Sequence, residues 1–131
     1  MRTAKEVKEE MDGMVARAAQ IKSLKLKKGT EEEKKTSLEV KRMKKRMREL
    51  KPIYFFLSSS VTEEAVVNML KSTERSLKNA EDAFFNWKEG IYNRTEHGDV
   101  PKAFYEKMME MPKMRKQIKT LNFILGKTEK L

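Results

Sequence analysis

The chain has 131 residues, 38% apolar and 38% charged, with 30 Lys and Arg against 20 Asp and Glu and a net charge of +10. That length suits one ordinary domain with an appendage and a core of modest thickness. With no cysteine, disulfides, zinc–thiolate sites and thiol catalysis are excluded. No stretch approaches the roughly 18 apolar residues of a membrane span, and the first six residues lack the apolar segment of a signal peptide.

Gly and Pro are scarce, at five and three, whereas Lys, Glu, Met, Leu and Ala are plentiful. These residues lose little side-chain entropy in a helix, so the predicted class is all-α. The charge is uneven. Residues 1–52 hold 17 basic against 9 acidic side chains, and residues 53–131 hold 13 against 11. All ten aromatics lie in the second stretch. Aromatics supply much of the burial energy of a small core. The expected organisation is therefore a basic helical hairpin arm over 1–52 and a helical-bundle packing domain over 53–131.

In chain order, the first helix is predicted over residues 3–28. Val7, Met11, Met14, Ala18 and Ile21 recur at 4-3-4-3 spacing, a narrow stripe suited to one neighbouring helix. Gly29 suits a helix stop. Thr30 with Glu33 makes a capping box, and Glu31, Glu32 and Glu33 favour the positive end of the next helix dipole. That second helix is predicted to end near Leu50, with Val40, Met43, Met47 and Leu50 as its thin stripe. Its other face is basic: residues 41–51 carry seven positive side chains and one negative, Glu49.

Pro52 disfavours helix at Lys51 and suits the start of a new element, so the boundary is placed there. Residues 53–57 read as a buried plug or short helix. Ser58, Ser59 and Ser60 read as a break, and Ser60 with Glu63 as a second capping box starting a helix at Val61. In that helix Val66, Leu70, Thr73, Leu77, Ala80, Phe84, Trp87 and Ile91 form a long core-facing stripe. Residues 93–100 read as a polar loop containing His97 and Gly98. Asp99 and Pro101 then suit the start of a last helix, lined by Phe104, Met108, Met111, Ile118, Leu121 and Leu125. It is kinked or split at Pro112 and ended by Gly126.

No catalytic constellation appears, and the chain does not read as an enzyme. His97, the single histidine, sits in a polar loop without a nucleophile elbow and reads as solvated. There is no Glu-x-x-His pair for a di-iron bundle and no Gly-rich phosphate loop. Asn93-Arg94-Thr95 fits a glycosylation triplet with no secretion signal behind it. Met108, Met109, Met111 and Met114 read as adaptable packing or a subunit contact. No cofactor or metal is expected.

The basic hairpin is the one functional feature. Lys25, Lys27, Lys28, Lys34, Lys35, Lys41, Arg42, Lys44, Lys45, Arg46, Arg48 and Lys51 are the candidate nucleic-acid-binding residues. Arrays of this kind neutralise phosphates, and binding gains from counterion release. The arm has no Asn, one Gln and no aromatic stacker, so contacts to backbone and shape are expected rather than base reading. An acidic protein partner is the competing occupant. A membrane surface is disfavoured, because the stripes hold Met, Val and Ala where membrane helices place Trp, Phe or Leu.

A basic helical hairpin of about fifty residues (with Lys25 to Lys51 as its basic part), a junction at Pro52, and a bundle from Ile53 to Leu125 resemble the major coat proteins of filamentous archaeal viruses. These are the lipothrixvirus, tristromavirus and rudivirus group. The resemblance is one of layout and covers the whole chain. It implies a virion protein, assembled in the host cytoplasm, that wraps linear double-stranded DNA held in A-form. It also implies pairing as a homodimer or with a paralogous coat subunit. The Gln-poor, Lys- and Glu-rich composition fits a hot host. Glu6, Glu9, Glu10 and Asp12 depart from a uniformly basic wrapper and place the expected DNA contact on the second helix. The alternatives are a cytoplasmic, sequence-nonspecific nucleic-acid-binding accessory protein of cellular or phage origin, and a helical adaptor for an acidic protein.

Overall fold

A computed structural model describes residues 1–94 and 102–131, without the side chains of 87–94, 102–104 and 107. Four helices are present: α1 (Ala4–Ser23), α2 (Glu31–Ser58), α3 (Glu63–Arg94) and α4 (Lys102–Ile124). No strand occurs among the described residues. The protein is all-α and divides into two compact units, Met1–Val61 and Thr62–Leu131. The expected loop residues 95–100, with His97 and Asp99, and Pro101 lie outside the described residues. So do the side chains of Trp87, Ile91 and Phe104.

The first unit is an antiparallel αα-hairpin. Thr3 caps α1, its hydroxyl accepting from the Glu6 N–H at 3.2 Å. The 4-3-4-3 stripe faces α2: Val7 is buried and Met11, Met14, Ala18 and Ile21 are half-buried. The helix stops at Ser23, five residues before the expected end. Leu24 donates to the Ile21 carbonyl, and Lys25 takes a left-handed φ of 48°. Gly29 is used in the following turn rather than as a helix stop. The Thr30 N–H reaches the Lys27 carbonyl at 3.4 Å, with Gly29 at φ 88° between them. A type II turn requires positive φ at that third position. Thr30 then caps α2 as expected, its hydroxyl accepting from the Glu33 N–H at 3.3 Å.

Helix α2 does not end near Leu50. It runs 28 residues, through Pro52, to Ser58. Proline removes one rung and crowds the carbonyl four residues back, at a cost of about 3 kcal/mol. Leu50, Ile53 and Leu57 flank it and are 0%, 3% and 9% exposed. Full burial of each such side chain stabilises by about 1.5–3 kcal/mol, so three of them outweigh the proline. The residues expected to form a separate plug are the last turns of α2. The serines do end it: Ser58 and Ser59 hydroxyls donate to the Tyr54 and Phe56 carbonyls, and Ser60 is left-handed at φ 62°. With Ser60 in that conformation the cap moves to Thr62, whose hydroxyl accepts from the Ala65 N–H. The division of the chain therefore falls after Val61, not at Pro52.

The second unit pairs α3 with α4. Asn93 and Arg94 belong to α3 rather than to a loop. Its expected stripe is graded: Val66 and Leu70 are buried, whereas Thr73, Leu77, Ala80 and Phe84 are half-buried. On α4, Met111 and Leu121 are buried and Met108, Met114, Ile118 and Leu125 are half-buried. Phe123 and Ile124 are also fully buried, although they lie off that stripe. Pro112 is exposed and inside an unbroken helix. Gly126, at φ 79°, closes α4. Its N–H reaches the Phe123 carbonyl and the Lys127 N–H reaches the Asn122 carbonyl, the two bonds of a Schellman motif.

Candidate nucleic-acid interface

Two ion pairs fix the register of the first hairpin. The Arg17 guanidinium donates to the Glu39 carboxylate at 2.8 Å, and that of Arg46 to Glu10 at 3.0 Å. Glu10 to Arg17 on α1 and Glu39 to Arg46 on α2 are each seven residues, two helical turns. Sliding one helix by a heptad would set Arg17 against Arg46, or Glu10 against Glu39. The pairs thus oppose the nearest alternative packing by like-charge repulsion, the role that flanking charges play in coiled coils. The hydrogen bond and charge of Glu39 raise the Arg17 pKa. The bond from Arg17 in turn holds the Glu39 carboxyl below its ordinary range.

The register decides which face of α2 looks outward. Thr36, Val40, Met43, Met47 and Leu50 are half-buried or buried and form the stripe toward α1. At 100° per residue, a second stripe lies one residue further round: Ser37, Lys41, Lys44, Arg48, Lys51 and Phe55, at 4-3-4-3-4 spacing. All six are exposed. Lys34 and Lys45 flank it, also exposed. From Ser37 to Phe55 the stripe spans about 27 Å at 1.5 Å per residue and contains no carboxylate. Glu39 turns to Arg17, and Glu49 lies roughly a third of a turn away from the stripe.

Of the twelve candidate residues, Lys41, Lys44, Arg48 and Lys51 make the stripe, and Lys34 and Lys45 widen it. Lys35 and Arg42 are exposed on the far side of α2. Lys25, Lys27 and Lys28 are exposed in the connection between α1 and α2 rather than on a helix. Arg46 stands apart: it is half-buried and held by Glu10. Two residues outside the candidate set belong to this region. Lys22 joins Lys25, Lys41 and Lys44 around an open groove of about 450 Å³ with Ile21 and Val40 in its wall. Phe55 ends the stripe and is 66% exposed. Lys22 was legible from its four-residue spacing to Ala18 beside the α1 stripe. Phe55 was hidden by the boundary drawn at Pro52.

Among the described residues, no group of three or more His, Cys, Asp or Glu side chains is placed to hold a metal ion. No helix there is long and apolar enough to cross a membrane. Compared with known proteins, the chain matches no family model, no curated protein and no solved structure.

Proposed function

We propose that the protein binds nucleic acid through its phosphate backbone, along the outer stripe of α2, as a structural subunit of an assembly that packages linear double-stranded DNA. The carboxylate-free run of exposed cations on one face of α2 carries this reading. Double-stranded DNA presents one charge per about 1.7 Å of axis, so a stripe of about 27 Å meets a long row of phosphates. Lysine supplies most of its charge, and lysine acts on phosphate as a point charge without bidentate base geometry. Sequence-independent binding follows.

The assembly role rests on the layout resemblance to filamentous virus coat proteins and on exposed apolar side chains. Phe85, Tyr105 and Met109 are 64%, 57% and 59% exposed in the second unit. Tyr105 and Met109 sit one turn apart on α4, a placement that suits burial by a neighbouring subunit. The coat subunit pairs with a second copy or a paralogue.

Electron microscopy of the purified protein mixed with linear duplex tests the whole reading, with extended filaments expected. Discrete small particles that bind duplex would leave an accessory DNA-binding protein. Charge reversal at Lys44, Lys45 and Arg48 to Glu tests the surface. Duplex affinity at moderate salt is expected to fall by roughly 10³-fold with helical content unchanged. Retained affinity would remove the α2 stripe from the contact.

A further inference from the structure

Phe55 is the feature that backbone binding leaves unexplained. Apolar side chains that end up in water are common singly, but this one has three distinguishing properties. Its ring is 66% exposed. It occupies the last position of the stripe, one turn beyond Lys51 and two beyond Arg48, about 6 and 10 Å along the axis. Its ring also meets that of half-buried Tyr54 edge-on, with centroids 5.8 Å apart and planes at 60°. That geometry is the favourable T-shaped arrangement, and it leaves a face of the Phe55 ring available while restricting its rotamers.

Three occupants suit an exposed phenyl: a second copy, a bilayer, or a base. A second copy that brought the same stripe alongside would set Lys51 and Arg48 against their own equivalents, on a chain of net charge +10. A bilayer would need more apolar residues on the same face, and the stripe carries none besides Phe55. A nucleic-acid strand meets both features at once. Its phosphates lie on Lys44, Arg48 and Lys51, and the base at the end of that run has a π-face at the height of Phe55. Aromatic side chains beside a cationic track are how proteins hold unstacked bases without reading sequence.

From this we infer that Phe55 is a stacking platform for an unpaired base, so the α2 surface binds strands with accessible bases more tightly than an equally charged strand without them. The inference rests on the nucleic-acid reading above and deepens it. The surface would engage single-stranded segments, frayed ends or locally opened duplex, with the cations supplying affinity and Phe55 the preference for bases.

The test is a fluorescence-anisotropy titration of the full chain with two probes at low salt: a thymidine 20-mer and an abasic phosphodiester 20-mer. Base–aromatic stacking is worth about a 5- to 150-fold difference, so wild type is expected to favour the thymidine strand within that range. Phe55→Ala should bring the ratio close to one while leaving abasic affinity in place. Phe55→Trp should keep or raise the ratio. Phe85→Ala removes a phenyl of similar exposure from α3 and should change nothing. A wild-type ratio near one, or a ratio unmoved by Phe55→Ala, overturns the stacking role and leaves the backbone reading standing. Failure of wild type to bind either strand overturns both.

Discussion

The two halves of the molecule are the same motif put to different uses. Each is a pair of long helices joined into a hairpin, and in each the fully buried side chains gather mainly toward the open end. In the first, Val7, Leu50, Ile53 and Leu57 are buried, while Ile21 and Val40 near the turn are only half-buried. In the second, Val66, Leu70, Leu121, Phe123 and Ile124 carry the core, with Met111 further along. They differ in how charge is arranged. Cations on α4 are interleaved with carboxylates on α3, one of which, Glu81, pairs with Arg115 at 3.3 Å. On α2 the carboxylates turn to α1 or lie off the stripe, and the lysines are left together. A hairpin with a thin seam and a segregated charged face is suited to a partner of opposite charge. A hairpin with mixed charge and exposed aromatic and Met side chains is suited to its own kind.

The sharpest way to break that contrast is to move the charge reversal. Lys113, Lys116 and Lys119 on α4 are exposed like Lys44, Lys45 and Arg48. Reversing them to Glu alters the net charge by the same amount. If the arrangement of charge matters, the α2 variant loses duplex affinity roughly 10³-fold and the α4 variant loses far less. Equal losses would mean that only the net charge counts. The salt dependence separates the two again: each phosphate contact removed should lower the slope of log affinity against log salt by about 0.9.

Leu50→Ala comes next in size. Leu50 is fully buried two residues before Pro52, and truncation of such a leucine costs about 2–5 kcal/mol. Because burial on both sides of Pro52 is what holds α2 together there, the loss should appear as fraying of residues 51–58 in amide exchange, ahead of α3. Protection of 51–58 equal to wild type would mean that the helix crosses Pro52 for another reason.

That helix is also where sequence and structure part. The stripes on α1 and α2, the Thr30 cap and the hairpin itself were legible, because each depends on local spacing or on a side chain within three residues. The Gly126 stop was legible for the same reason. Pro52 misled because its penalty is local and visible, whereas the burial that offsets it depends on packing. The Ser60 cap failed similarly: Ser60 and Thr62 both offer a hydroxyl, and the left-handed Ser60 backbone decides between them. The candidate lysines were legible as a set, but their division into stripe, far side and connection was not. It depends on which side of α2 meets α1. Phe55 entered the site only once the helix was known to continue.

A smaller effect is expected at the turn. Gly29 has open space around its Cα but a φ of 88°, so Gly29→Ala meets backbone strain and no clash. The cost is about 1–2 kcal/mol, read as a lower denaturation midpoint with duplex affinity per folded molecule unchanged. A stabilised variant would show that the turn readily adopts another form.

The mildest test concerns the register. Glu39 has its pKa lowered from an ordinary 4.5, first by the hydrogen bond from Arg17 and then by that residue's charge, with desolvation opposing. A depressed folded-state pKa means that the unfolded chain takes up its proton first. The contribution is therefore complete above the unfolded value and is lost as pH falls through the folded one, below 4.5. Both side chains are about two-fifths exposed, so screening keeps the effect small, and it should shrink further with salt. Acid titration of Glu39→Gln against wild type is expected to converge below pH 4 and to separate, with wild type more stable, above pH 5. Curves that stay parallel across that range would mean that the bond between Arg17 and Glu39 does not tie α1 to α2. The register would then rest on the apolar stripes and on Arg46 with Glu10.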